Sequence, residues 1–139
     1  MCEEDVKTVM AWERTMIGTD SSVARGNKVY HPRLRGTFPR VLGKYVREEG
    51  VTTLTEMIRK ITSMPATVYG LRSKGQLHEG FDADICIFDA EVIIDRAEFT
   101  ACWQRAEGLK YVLLGGEVVV EDAVYNGKRL GHVMKREAL

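Results

Sequence analysis

Thr15-Met16-Ile17-Gly18-Thr19-Asp20, then a basic tract over 21–37, then Phe38, Val41, Leu42, Tyr45 and Val46: this stretch decides the fold. The first six residues are strand-like and end in an acid. The tract after them is polar, basic and poor in helix signals. It is expected to be a long loop holding Arg25, Gly26, Lys28, His31-Pro32-Arg33, Arg35 and Gly36. Loops of that length are uncommon inside compact domains and often functional. The five apolar residues beyond it fall at helical spacing. Thr37 suits the cap of that helix, Pro39 its first turn, and Gly50 the left-handed position that ends it. Strand, loop and helix make one βα unit. One unit cannot close a parallel sheet, because a parallel strand needs covered neighbours on both sides. Further polypeptide upstream is therefore expected.

Outward from that stretch the chain divides by texture. Upstream, Val6 to Trp12 reads as a short helix with Val6, Val9 and Met10 on one side. Downstream, Thr53-Leu54-Thr55-Glu56 has the form of a capping box. Leu54, Met57, Ile58, Ile61 and Met64 then make one apolar stripe. Pro65 closes that helix and opens a shorter one over 66–69, ended by Gly70. Beyond Gly70, glycines punctuate short β-like runs. Asp84 to Phe88 is expected to be a buried strand. Tyr111 to Leu114 and Val118 to Val120 flank Gly115-Gly116, a two-residue hairpin turn. Asn126-Gly127 signals a second turn, and 96–107 stays open between helix and loop. The division is thus 1–70, helical, and 71–139, β-rich.

Composition narrows the function classes. The 139 residues carry 20 basic and 20 acidic side chains, with a pI near 6.8. That balance argues against nucleic acid or an anionic membrane as a bulk electrostatic partner. The local cluster of Arg25, Lys28, Arg33, Arg35 and Arg40 lacks the interleaved aromatics of a nucleic-acid groove. Three cysteines, Cys2, Cys86 and Cys102, are odd in number and have no CxxC spacing. Reduced thiols in a cytoplasmic protein fit them best, with Cys86 a small core residue. No apolar run is long enough to span a bilayer, and the acidic start has no signal-peptide core.

Few residues could carry chemistry. Asp20 stands where a strand emerges into a loop, the position of the active-site face in a βα barrel. A carboxylate there can ligate a metal or move a proton; on spacing alone it is more often a turn aspartate that accepts from the amides of Ser21 and Ser22. Arg33 offers a fork of donors matched to a carboxylate, presented on a segment stiffened by Pro32. On pattern alone Arg33 is more often a solvated arginine, as are Arg25, Lys28, Arg35 and Arg40. His31, His78 and His132 form no metal-binding spacing. Asp82 and Asp84 mark a tight entry into a strand rather than a calcium site. Gly115-Gly116 lacks the neighbours of a phosphate loop.

Several blocks together resemble a known family. They are Met16 to Asp20, His31-Pro32-Arg33, Gly36-Thr37-Phe38-Pro39-Arg40-Val41-Leu42-Gly43, Tyr45-Val46-Arg47-Glu48, Met57 to Thr62, Pro65-Ala66, Gly70-Leu71, and Gly80 to Asp84 with Phe88-Asp89. They are similar to the late part of the D-aminoacylases, the N-acyl-D-amino-acid deacylases of the amidohydrolase superfamily. The resemblance implies an α+β chain: the last βα portion of a metal-dependent (β/α)8 barrel followed by a small β-rich C-terminal subdomain. It implies hydrolysis of the amide of a small-molecule N-acyl-D-amino acid. Asp20 would activate the zinc-bound water and pass its proton to the leaving amine. Arg33 would hold the substrate's α-carboxylate, and His31 would position that loop. Asp20 is also the one implied contributor to a metal site. The family's other metal ligands have no counterpart here, so zinc is not expected to bind tightly to this chain alone. Activity would need a missing N-terminal half. The alternative is a non-catalytic binding or oligomerisation module derived from the same fold, working through self-association. The tract 21–30 departs from the family's usual one.

Overall fold

The computed structural model describes residues 2–21 and 31–134. Arg25 and Lys28 lie outside the described residues. The chain runs as helices first and strands after. Helix α1 spans Glu3–Ala11 and α2 spans Arg33–Arg40, continuing directly into a π-helical segment over Val41–Glu48. Helices α3, Leu54–Ile61, and α4, Ser63–Tyr69, follow. Four strands then form one antiparallel sheet in chain order: β1 Ile85–Phe88, β2 Leu109–Leu114, β3 Glu117–Glu121 and β4 Val124–Tyr125.

Each helix follows from its sequence, with corrections. Glu3, Glu4 and Asp5 put negative charge at the positive end of α1, and Asp5 accepts the Cys2 N–H at 3.0 Å. The helix thus starts three residues before Val6. The expected loop over 21–37 ends early. Pro32 precedes a helix beginning at Arg33, so Pro39 sits inside the helix and Thr37 does not cap it. The Thr37 hydroxyl instead donates to the Arg33 carbonyl at 2.9 Å. Pro39 has no N–H for the carbonyl four residues back, and the winding widens to π immediately afterwards. Gly50, at φ 61, closes the segment as expected, with the Val51 N–H donating to the Tyr45 carbonyl at 2.8 Å. The capping box is half made. Thr53 accepts the Glu56 N–H at 3.2 Å, but the Glu56 carboxylate turns to Arg59 at 2.7 and 2.8 Å. Pro65 lies within α4, which Gly70 ends at φ 71.

No strand forms over Thr15–Asp20. A strand exists only through its ladder, and among the described residues this run makes only two backbone bonds, Thr15 N–H to the Trp12 carbonyl at 3.2 Å and Ile17 N–H to the Lys60 carbonyl at 3.4 Å, neither of them to a strand. The hairpin at Gly115-Gly116 is present, both glycines at positive φ. The next turn, Asp122-Ala123, also takes positive φ without any glycine, a connection the sequence did not announce. Asn126-Gly127 turns the chain after β4 instead. Strand β1 is not buried: it forms a sheet edge, and Cys86 and Ile87 are exposed. The span 96–107 is neither helix nor strand, held by bridges Ile94–Glu107 and Glu98–Ala101.

The core joins both textures. Met10, Val41, Leu42, Tyr45 and Met57 from the helical part pack with Ile93 from the segment between β1 and β2. Gly43 lets that segment approach: a Cβ there would stand 2.3 Å from the Ile93 carbonyl oxygen. Between the helices and the sheet opens an apolar cleft of 620 Å³, walled by Phe38, Leu42, Ile58, Cys86, Val112 and Val120 among others. No helix among the described residues is long and apolar enough to cross a membrane.

Candidate functional site

His31 begins the site. A helix start leaves backbone N–H groups without partners, and proline cannot supply a capping side chain. The His31 ring does so: its Nδ1 accepts the Arg33 N–H at 3.1 Å, while the His31 carbonyl accepts the Leu34 N–H at 3.0 Å. An accepting Nδ1 places the ring hydrogen on Nε2. The ring also meets Phe99 edge-on, with centroids 4.8 Å apart. His31 therefore orients the first turn of α2, and with it Arg33.

Arg33 reaches Asp20. Its Nη1 lies 2.9 Å from Asp20 Oδ2, with the arginine side chain 44% and the aspartate side chain 86% exposed. Asp20 sits at φ 45, a left-handed conformation that aspartate tolerates better than most residues. The structure thus brings together all three residues singled out in the sequence, Asp20, His31 and Arg33. So exposed an ion pair is weak, contributing at most ~1 kcal/mol. An incoming carboxylate can therefore exchange with Asp20 at the Arg33 fork at little cost.

Two further groups support this trio, and sequence reasoning missed both. The first is Lys60, wholly buried on α3. Its Nζ donates to the Met10 carbonyl at 2.6 Å, to the Trp12 carbonyl at 2.5 Å and to Thr15 Oγ1 at 3.2 Å. Burial pushes its pKa below the usual lysine range, with the nearby Glu56 charge opposing. One signal was available: Lys60 follows Met57 by three residues, which puts it on the apolar face of α3. The second is the segment 95–103. Asp95, its side chain 3% exposed, accepts from Arg40 Nε at 3.1 Å and Nη2 at 2.9 Å. Arg35 Nη1 donates to the Trp103 carbonyl at 3.2 Å, and its guanidinium lies 5.0 Å from the Trp103 ring centroid. Arg35 and Arg40 are therefore not simply solvated arginines. Both tie α2 to that segment. A cavity of 450 Å³ separates the two, bounded by Ile17, Arg33, Ala97 and Phe99 among others.

The remaining candidates serve the fold. Asp84 accepts the Gly115 N–H at 2.9 Å and pairs with Lys74, which also holds Asp82 at 2.9 Å. Lys74 lowers the pKa of both carboxyls. This is the tight strand entry expected there. His78 Nδ1 lies 2.9 Å from the Glu79 carbonyl, and its ring leans on Phe81. Among the described residues, no three His, Cys, Asp or Glu side chains converge as a metal site would require. A zinc centre takes about three protein ligands or more. The donors described here do not fit one.

The sequence profile of the Amidohydrolase family matches residues 9–120. D-aminoacylase of Alcaligenes xylosoxydans xylosoxydans is 38% identical over 138 residues, 99% of this chain and 28% of that protein. A crystal structure of D-aminoacylase superposes with a TM-score of 0.91 at 39% identity, over 98% of this chain and 28% of that one. The N-acyl-D-glutamate deacylase of Bordetella bronchiseptica, solved with zinc and a phosphonate mimic of the tetrahedral intermediate, gives a TM-score of 0.79. It is 36% identical over 86% of this chain and 25% of that one. The chain spans little more than a quarter of the length of these relatives.

Proposed function

The chain belongs to the amidohydrolase family, and from that premise we propose that it supplies the acid and the carboxylate-binding arginine of an N-acyl-D-amino-acid deacylase. The pairing of Asp20 with Arg33 at 2.9 Å carries this reading, because it sets a proton acceptor beside a carboxylate receptor. An N-acyl amino acid has its carboxylate two bonds from the amide nitrogen. A residue that grips the first is therefore close to one that serves the second.

In this mechanism the substrate carboxylate displaces Asp20 from the Arg33 fork, which can bind it bidentately. The released Asp20 carboxylate takes a proton from the attacking water and returns it to the amide nitrogen as the C–N bond breaks. The products are the acyl carboxylate and the free D-amino acid. His31 keeps Arg33 aimed through the helix cap. Zinc, as carried by the Bordetella relative, would need ligands beyond Asp20, the one contributor this chain would offer. The division into a barrel-end part, 1–70, and a C-terminal subdomain, 71–139, belongs to the same proposal. So does a cytoplasmic location, for which the three reduced cysteines speak.

The test is co-expression of this chain with the N-terminal portion of the Alcaligenes D-aminoacylase that it does not span, followed by assay on N-acyl-D-amino acids. Turnover is expected in combination and not from the chain alone. Asp20→Asn should cost about 10²–10⁴-fold in kcat. Arg33→Lys should act mainly on KM, raising it about tenfold or more. Turnover by the chain unaided, or turnover indifferent to Asp20→Asn, overturns the proposal.

A second reading, a non-catalytic module that self-associates, is favoured by one observation. The sheet exposes Ile87, Tyr111 and Val118, none of which lines the apolar cleft, and Val124, which does. A defined oligomer by sedimentation, with no turnover in any combination, would favour it.

A further inference from the structure

A buried ammonium is costly unless every hydrogen finds a partner. Lys60 has three donors, and all three are used: on Met10, Trp12 and Thr15. Two of these acceptors are carbonyls at the negative end of α1, which compensates the charge without any acid in the contact. A helix cap alone would need only those. The grip reaches further. Thr15, whose hydroxyl Lys60 touches, also bonds back to the Val9 carbonyl at 2.8 Å and the Trp12 carbonyl at 2.9 Å. The neighbouring Arg59 Nη2 donates to the Glu13 carbonyl at 2.8 Å. The Lys60 carbonyl takes the Ile17 N–H at 3.4 Å. Residues 12, 13, 15 and 17 are thus fastened to two consecutive residues at the end of α3. From Ile17 to Asp20 is three residues, at most about 11 Å of chain.

We propose that Lys60 is a positioning residue: it anchors the base of the run whose tip carries Asp20, and so fixes where that carboxylate meets Arg33. The inference rests on the reading of Asp20 as the proton-moving acid. Lys60 touches no reacting atom. It acts through the Trp12–Ile17 segment, with Arg33 holding the other end.

The experiment uses the full 139-residue chain, isotope-labelled, and reads chain order rather than turnover. Lys60→Met keeps the volume of the side chain and removes the charge. Thr15→Val removes one acceptor of Lys60 together with the hydroxyl's own bonds to Val9 and Trp12, and leaves the Lys60 bonds to the Met10 and Trp12 carbonyls in place. In Lys60→Met, the Ile17 amide should exchange at least about tenfold faster, and the Arg33 guanidinium resonances should lose their restriction by Asp20. The amides of Val112 and Val120 in the sheet should be unchanged. Thr15→Val should shift the same signals less. If Lys60→Met does not fold, Thr15→Val decides. An intact Arg33–Asp20 signal in the folded variants overturns the proposal. So does uniform loss of protection in Lys60→Met with a wild-type Thr15→Val, which marks a purely structural lysine. Because no catalysis is measured, a failed deacylase assignment and a failed anchor remain distinguishable.

Discussion

Single residues decide how closely the parts of this chain approach. A Cβ on Gly43 would meet backbone, the Ile93 carbonyl oxygen at 2.3 Å, whereas one on Gly36 would meet the end of a side chain, Asp95 Oδ2 at 2.7 Å. Backbone cannot swing aside, whereas the Asp95 carboxylate can shift at the expense of its bonds to Arg40. Gly43→Ala should therefore cost about 2 kcal/mol in urea unfolding, and Gly36→Ala distinctly less. A second residue-scale effect concerns acid. Asp84 has its pKa lowered first by Lys74 and then by the Gly115 N–H. A depressed carboxyl contributes stability that is complete above its unfolded pKa, about 3.9, and is lost as pH falls through the lower folded value. Asp84→Asn should thus flatten the acid limb below about pH 4 in denaturant titrations repeated across pH. Type and place alone left Asp20 a turn aspartate and Arg33 a solvated arginine; the resemblance of the Met16 to Asp20 and His31-Pro32-Arg33 blocks is what singled them out. For Lys60 the sequence offers only its place on the apolar face of α3, because its partners, two carbonyls and the Thr15 hydroxyl, lie 45 to 50 positions away; Asp95 is silent, its partner being an arginine 55 positions away.

Elements whose signals are local matched the sequence, and those that depend on distant neighbours did not. The Gly115-Gly116 hairpin, the Gly50 and Gly70 stops and the helices α3 and α4 rest on a few adjacent residues. Thr15–Asp20 has strand-like composition but no ladder partner among the described residues, and β1 has buried-strand composition on an exposed edge. The π-helical segment was hidden for a similar reason. Its apolar spacing is ordinary, and its widening accompanies Pro39 behind it and the crossing segment at Ile93. The turn at Asp122-Ala123 offers the cleanest test at this scale. Both residues sit at positive φ, 44 and 58, where an L-residue pays about 1–2 kcal/mol. Ala123→Gly relieves one of them, and its own unfolded-state entropy offsets part of the gain. The expected result is a stabilisation of up to about 1 kcal/mol by thermal melting, with no change in the sheet's spectrum.

The whole molecule turns on one crossing. Ile93 leaves the sheet region and enters the cluster formed by Met10, Val41, Leu42, Tyr45 and Met57. Removing it should cost about 2–5 kcal/mol. If helices and sheet share that core, Ile93→Ala will lower helical and sheet signals together in one transition. Two separated transitions would instead mark 1–70 and 71–139 as independent units.

The cleft between the helices and the sheet leaves one more mark, on Cys86. Its side chain is open to solvent on the cleft wall, yet apolar surroundings push its thiol above the usual pKa. The thiolate is the form that attacks an alkylating reagent, so Cys86 should be labelled sluggishly at neutral pH and faster in alkali. Anything that seats itself over the cleft will stop the labelling altogether. That one sulfur is a built-in gauge of whether the groove is covered.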